Sequence, residues 1–320
     1  MAMDTIPVRV ADVVDETADI RSLRLTRTDG AEFPAYEAGA HVDVVGPTGL
    51  VRQYSLCGRP SDRSSLHIAV KREPDSRGGS QALHTVSAGD SLEIGQPRNL
   101  LTLAPDADRH LLVAGGIGVT PLLGMAHELA GRGAEFELHY FARSREEAAF
   151  ADHLESLAEF RGRVHLRFGT PRDKFPAVLA DLAPELTPES HVYTCGPDGF
   201  MTEVVTAFAP VVGEQRVHVE HFVAAEADTG EDDSFTVELD TGETFAVPAG
   251  QSILSVLGEN GIEVFKSCEE GICGSCVSGV LEGTPDHRDR CLSASDRQAG
   301  DQMALCVSRA LTDKLVIELY

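Results

Sequence analysis

Along the first hundred residues, apolar and polar positions alternate in short runs. Residues 8–14, 20–26, 41–45, 51–56 and 66–70 are rich in β-branched side chains and are punctuated by Asp, Gly and Pro. That pattern predicts strands, and their number and spacing predict an antiparallel barrel. At His110 the rhythm changes. Apolar runs at 110–114, 136–141, 164–168, 191–194 and 217–220 alternate with helical patterns at 121–129, 145–159 and 198–209. Strand and helix in turn predict a parallel sheet with helices on both faces. Residues 223–234 are acidic, small and without periodicity, and read as a linker. Beyond them, 235–239 and 244–247 predict a hairpin and 252–257 a short helix. No internal repeat is present.

A length of 320 residues suits two or three such domains. The longest apolar runs are far too short for a membrane span, and the start, Met-Ala-Met-Asp-Thr-Ile-Pro, lacks the basic and apolar regions of a signal peptide. A formal net charge of −24 disfavours nucleic acid and anionic membranes as partners. From Phe235 onward the chain carries 14 acidic against 6 basic side chains. Such a face can steer a basic electron acceptor, although solubility alone explains most acidic surfaces.

The cysteines change the picture most. Cys268, Cys273 and Cys276 stand in C-x4-C-x2-C spacing, and Cys306 follows in Leu-Cys-Val-Ser-Arg. This is the ligand spacing of a plant-type [2Fe–2S] ferredoxin. Gly271, Gly274 and Ser275 let the loop wrap closely and aim amides at the sulfurs. A zinc knuckle would favour two C-x2-C pairs, and only one occurs. Seven cysteines, four of them committed to a cluster, argue against a disulfide framework, so the chain reads as cytosolic. Cys291 lies between the third and fourth ligands and is a competing candidate; it and Cys57 are read as packed thiols.

Two glycine-containing turns end predicted strands. Gly115-Gly116-Ile-Gly118-Val-Thr120-Pro121 suits a dinucleotide, because glycines admit a pyrophosphate to the backbone and a helix start supplies amides. Thr120 is the expected N-cap and Pro121 the first helical residue. The loop departs from GxGxxG, and a tight turn without ligand is the plainer alternative. Cys195-Gly196-Pro197 ends a second strand, where open parallel sheets bind ligands. Read alone, Cys195 is better explained as a small buried thiol packing under the loop.

In the barrel stand Arg52-Gln-Tyr54-Ser55, Ala69-Val-Lys71 and Arg77-Gly78-Gly79-Ser80. The Arg-x-Tyr-Ser motif, the glycine loop and the Cys-Gly-Pro resemble the ferredoxin–NADP reductase superfamily. With a C-terminal plant-type ferredoxin segment, the whole chain resembles the phthalate dioxygenase reductase family, which includes the reductase components of vanillate O-demethylases. The resemblance implies a multidomain fold: an FMN-binding antiparallel β-barrel (1–104), an NAD-binding α/β parallel-sheet domain (105–222), the acidic linker (223–234) and an α+β, β-grasp [2Fe–2S] ferredoxin domain (235–320). It also implies site residues. Tyr54 would lay its ring on the flavin and Ser55 would place its hydroxyl near N5. Arg52, Ala69 and Lys71 would line the flavin, and Gly79 and Ser80 would open a helix, 80–86, toward its phosphate. Phe222 would pack over the ring, although an aromatic at a strand end also serves as core. For Tyr54 and Ser55 alone, an ordinary strand pair is equally good, and for Arg77 to Ser80 a turn.

Nicotinamide gives up two electrons as hydride, a [2Fe–2S] cluster takes one, and a flavin converts between them. The implied activity is that of an oxygenase reductase, passing electrons from NADH through FMN and the cluster to an external oxygenase of Rieske type or a haem monooxygenase. Cys195 with Ser55 would serve the hydride step, and the chain would be a monomer. Arg143, beside Ser144-Arg145-Glu146-Glu147, lies where the adenosine ribose is expected. The two arginines would welcome a 2′-phosphate and the glutamates oppose it; the resemblance favours NADH. Alternatives are an FAD-containing or NADPH-preferring reductase, and, from a different class, a redox sensor without turnover. No effector or nucleic-acid-binding segment accompanies the three domains.

Overall fold

A computed structural model describes residues 5–74, 78–224 and 233–319; Arg77 and most of the 223–234 segment lie outside the described residues. Contacts divide the chain into two compact units, one through Glu220 and one from His221 onward.

The first unit opens with seven strands: β1 (Ile6–Asp15), β2 (Ile20–Arg27), β3 (Ala40–Val45), β4 (Val51–Ser55), β5 (Leu66–Lys71), β6 (Ser91–Ile94) and β7 (Arg98–Asn99). All pair antiparallel in the order β4-β3-β6-β1-β2-β5, with β7 on β3. Leu56, just past β4, bridges to Ile68 in β5, joining the two ends of that path and closing the barrel. Alternation decides what points inward: Ile6, Val8 and Val10 are buried while Pro7 and Arg9 are exposed. They meet Leu25, Val42, Val44 and Ile68 in one core, each fully buried side chain stabilising by roughly 1.5–3 kcal/mol. Helix α1 (Gly79–Leu83) follows β5 and plugs Leu83 into that core. It is shorter than the expected 80–86 and starts one residue earlier.

Five parallel strands then form an open sheet: β8 (His110–Gly115), β9 (Phe136–Ala142), β10 (Val164–Phe168), β11 (His191–Cys195) and β12 (Val217–Glu220), in the order β10-β9-β8-β11-β12. The chain starts in the middle, runs outward to β10, then crosses back to β11. That reversal places a topological switch point between β8 and β11. Helices α2 (Val119–Arg132) and α3 (Ala151–Ser156) cover one face, burying Leu122, Met125 and Leu154 against Leu112, Leu138 and Tyr140. On the other face α4 (Phe175–Leu182) and α5 (Asp198–Val212) bury Leu179, Val204 and Phe208 against Leu111, Val113 and Val192.

The expected single helix over 145–159 is broken. Arg145–Glu147 and Ala158–Phe160 are 3₁₀ turns flanking α3. At the break Phe150 adopts φ 62°, a left-handed conformation costly for a large side chain. Its amide donates to Glu16 Oε2 from the barrel at 3.1 Å, so a tertiary contact overrides the local helical pattern. Gly124 of α2 approaches the barrel too: a Cβ there would lie 2.6 Å from the Leu56 carbonyl oxygen.

In the second unit β13 (Phe235–Leu239), β14 (Thr244–Val247), β15 (Val277–Glu282), β17 (Gln302–Ala304) and β19 (Lys314–Glu318) form a mixed sheet in the order β14-β13-β19-β15-β17, while β16 (Pro285–Asp286) pairs with β18 (Arg309–Ala310). The first and last strands, β13 and β19, run parallel at its centre. Helix α6 (Ile253–Glu259) is capped by Ser252, whose hydroxyl accepts from the Ser255 amide, and buries Ile253, Val256 and Leu257 against Val237, Val247 and Ile317. This is the β-grasp arrangement. A last helix, α7 (Ala294–Ala299), carries a Ser293/Asp296 capping box. Among the described residues no helix is long and apolar enough to cross a membrane.

Candidate functional site

The two glycine turns of the α/β sheet meet at its switch point. After β8 the chain makes a 3₁₀ turn, Gly116–Gly118, before entering α2. Gly116 has φ 56° and open space where a Cβ would stand, which leaves backbone accessible to a ligand. Gly118 is needed for the opposite reason. A Cβ there would lie 2.2 Å from the Cys195 carbonyl oxygen and 2.7 Å from the Gly196 nitrogen. The loop therefore seats directly on the turn that leads from β11 through Pro197 into α5. The helix start is not built as expected. Gly118 is the N-cap, Thr120 and Pro121 are the second and third helical residues, and the Thr120 hydroxyl donates to the Ile117 carbonyl at 3.0 Å. Buried Thr120 thus ties the loop to the helix instead of capping it, and the glycine leaves the first amides open to an anion.

Cys195 ends β11 with no exposed surface, and burial pushes its thiol well above the ordinary range. Its register partner on β12 is Glu220. Glu220 retains some exposed surface, but its Oε2 is sealed from solvent without a hydrogen-bond partner among the described residues. Burial pushes that carboxyl up to about 8. Sequence reasoning missed Glu220; an acid closing the apolar strand Val-His-Val-Glu was the available signal. Below about pH 4.3 the carboxyl is neutral in folded and unfolded chains alike. Between there and about 8 the folded state keeps a proton that the unfolded chain has lost, so stability falls as pH rises through this window and then levels. Glu220→Gln is expected to flatten that slope in denaturation curves taken across the window; an unchanged slope would show that Glu220 ionises normally.

The residues expected to line the flavin sit on β4, β5 and α1. Arg52 and Tyr54 share the face of Val44 and Val42, and Ser55 the opposite face with His41. Tyr54 is half-buried against the barrel core, and burial pushes its hydroxyl up to about 12. The Arg52 side chain lies over Gly79, where a Cβ would come within 3.0 Å of it. Lys71 is not an open charge: its ammonium pairs with Glu73 at 2.7 Å, and the Glu73 amide donates to the Ser80 hydroxyl at 3.1 Å. Ala69 belongs to a small buried cluster with Ile20 and Ala149, against which Ile117 of the glycine loop packs. The barrel and the glycine loop therefore share one seam. Arg143, past β9, is exposed and paired with Glu147. Phe222 falls in the second unit and is 37% exposed.

In that unit Cys268, Cys273 and Cys276 are buried and Cys306 is partly so. The thiols interact as two pairs, Cys268 with Cys273 and Cys276 with Cys306. Contact with Cys268 holds the Cys273 thiol down at about 6, and contact with Cys306 holds Cys276 below the usual value. A zinc ion would draw four sulfurs into one tetrahedron with edges of about 3.8 Å. Among the described residues, however, the one group of three or more ligand atoms lying within 4.8 Å of each other is Glu137, His139 and His165, elsewhere in the chain. Two pairs match two irons. The amides of Glu270 and Ser275 already donate to Cys268 and Cys273 at 3.3 and 3.4 Å. At Gly271, φ 73°, a Cβ would meet Val307 at 2.6 Å, so the wrap of the loop demands glycine. Cys291 turns instead to Asp289 Oδ2 at 3.4 Å, and Cys57 to the His67 carbonyl at 3.4 Å. The Glu137 group has its own explanation. His139 accepts from Arg167 at Nδ1 and faces Glu137 through Nε2, which leaves that ring no lone pair for a metal.

The model for the 2Fe-2S iron-sulfur cluster binding domain matches residues 237–311. Over 304 residues the chain is 44% identical to a vanillate O-demethylase oxidoreductase from a Pseudomonas species (strain HR199), covering 94% of this chain and 96% of that one. A solved phthalate dioxygenase reductase, described as modular for electron transfer from pyridine nucleotides to [2Fe-2S], is 38% identical, with a TM-score of 0.70 over 99% of this chain and 98% of its own. An intact type IV self-sufficient cytochrome P450 monooxygenase is 37% identical, with a TM-score of 0.86 over 98% of this chain but 41% of that longer one.

Proposed function

The chain belongs to the phthalate dioxygenase reductase family, alongside the vanillate O-demethylase oxidoreductases, and from that membership we propose that it is the NADH-oxidising component of an oxygenase, with FMN as its flavin. The observation that carries this reading is the shared seam, where Ala69 of the barrel and Ile117 of the glycine loop pack in one cluster. A nucleotide held at the switch point is thereby brought beside the barrel. When bound, FMN and a [2Fe–2S] cluster supply the exchange between the two electrons of a hydride and single electrons.

The chain's own residues position and insulate. Gly115, Gly116, Gly118, Thr120 and Pro121 shape the open helix start for the pyrophosphate. Cys195, Gly196 and Pro197 close the far side of the switch point, with Arg143 toward the ribose. Arg52, Tyr54, Ser55, Ala69, Lys71, Gly79 and Ser80 hold the flavin. Buried Cys195 and the sealed Glu220 carboxyl keep water from the reacting end, and Ser55 supplies the hydroxyl there. Cys268, Cys273, Cys276 and Cys306 hold the cluster in the pairs already described. We assign residues 1–104 to flavin, 105–222 to nucleotide and 235–320 to the cluster, joined by 223–234, in a cytoplasmic monomer. The acceptor is a separate oxygenase of Rieske type or a haem monooxygenase; similarity to part of a self-sufficient cytochrome P450 supports keeping the second.

Acid release of the flavin, followed by chromatography against FMN and FAD, tests the flavin assignment. Replacing Cys195 by alanine is expected to slow anaerobic flavin reduction by NADH about tenfold or more, with the flavin still bound. Unchanged stopped-flow traces would remove Cys195 from the hydride step.

A further inference from the structure

The loop after β9 holds two arginines beside four carboxylates. In an open parallel sheet, the adenosine ribose of a dinucleotide lies at the carboxyl end of the strand next to the phosphate-binding turn, which here is β9 beside the β8 turn. There an acid selects the 2′-hydroxyl of NADH and a free arginine selects the 2′-phosphate of NADPH. Sequence alone leaves Arg143 and Arg145 open to either role.

The structure shows both engaged. Arg143 pairs with Glu147 four residues on. Arg145 is gripped more fully: its guanidinium donates to Glu155 Oε1 at 3.0 Å, to Glu155 Oε2 at 2.7 Å and to Asp152 Oδ1 at 2.5 Å. Asp152 and Glu155 are one turn apart on α3, so they present their carboxylates together. Arg167, on the neighbouring β10, is turned to His139 at 3.0 Å. A 2′-phosphate arriving here, with nearly two negative charges, meets Glu146, Glu147, Asp152 and Glu155 and an arginine fork that already donates three bonds to carboxylates.

We propose that Asp152 and Glu155 enforce the choice of NADH over NADPH by holding Arg145 in a carboxylate clamp. The proposal rests on the reading that this sheet binds NADH. Breaking the clamp has two consequences of the same sign: it removes two repulsive charges and frees a bidentate phosphate ligand. Asp152 and Glu155 are positioning residues that act through Arg145.

The test uses the full chain and two probes of the adenosine end alone, 5′-AMP and 2′,5′-ADP, titrated by calorimetry. In Asp152→Asn/Glu155→Gln, affinity for 2′,5′-ADP is expected to rise about tenfold or more relative to 5′-AMP, with the KM for NADPH falling in parallel. Adding Arg145→Ala should cancel the gain, which a general loss of negative charge would not do. If the double variant fails to fold, Glu155→Gln alone carries the test, since Glu155 supplies two of the three contacts. A ratio of affinities that moves less than about twofold, or a gain that survives Arg145→Ala, overturns the clamp. A wild-type protein that binds neither probe nor NADH removes the nucleotide reading itself, and the proposal with it.

Discussion

Replacing Cys306 by alanine is expected to abolish the [2Fe–2S] cluster and to cut electron delivery to a one-electron acceptor such as cytochrome c by more than about 100-fold, while NADH still bleaches the flavin. Cys276 and Cys306 interact as a pair, so losing one leaves a single sulfur where an iron needs two. Even disturbing a group that hydrogen-bonds to a metal ligand costs about 10–100-fold, and a lost ligand costs more. Cys291→Ala is the control. Its sulfur is committed to Asp289 at 3.4 Å and burial holds it protonated, so that variant should keep the cluster absorption and its visible circular dichroism. The reverse result, with the cluster lost in Cys291→Ala and kept in Cys306→Ala, would exchange the two assignments.

Gly118→Ala should be among the most damaging single methyl groups in the first unit. The added carbon would stand 2.2 Å from a backbone oxygen and 2.4 Å from its carbon, at Cys195. Backbone cannot rotate away as a side-chain end can, so the loop and the β11 turn must separate. Overpacking of this kind costs about 3 kcal/mol, which for a unit of this size lowers the melting transition by roughly 6–12 °C. Dinucleotide affinity should fall with it, because the same two turns frame the nucleotide. Gly116→Ala makes the contrast. It meets nothing within 4 Å and is opposed only by its φ of 56°, a strain of about 1–2 kcal/mol. Equal melting temperatures for the two variants would mean that the close approach at Gly118 relaxes freely.

Much of this architecture can be read from local pattern. The strands Val217–Glu220, Phe235–Leu239 and Thr244–Val247 fall where alternation and turn residues predict them. The change from period two to strand and helix at His110 marks the change of sheet. What pattern cannot reach are elements whose identity is conferred by neighbours. The strand Ser91–Ile94 has four residues, only Leu92 and Ile94 of them buried, and becomes a strand because β1 and β3 flank it. Helix α4, with Pro176 near its start, is too short to show a period and is held by the apolar sheet face beneath it. Phe150 breaks a good helical run because Glu16, 134 residues away, holds its amide.

The candidate site divides the same way. Cysteine spacing announces the cluster because covalent reach fixes it, and the pairing of sulfurs follows. The glycine loop is legible as a loop, but the start of its helix is not: Thr120 has the chemistry of a cap, yet the close approach to Cys195 makes Gly118 the residue that must stand there. Glu220 is unremarkable as a letter in a strand. Its character comes from the sealing of one oxygen, which is a property of the fold. Lys71 shows the converse, a charge offered by sequence and already matched by Glu73.

Electron flow from NADH through flavin to cluster is tested by anaerobic titration of the purified protein with NADH, followed by visible absorption and electron paramagnetic resonance. The flavin band is expected to bleach and a reduced [2Fe–2S] signal to grow in as NADH is added. A protein replete in flavin and cluster in which both stay oxidised through the titration would contradict that route.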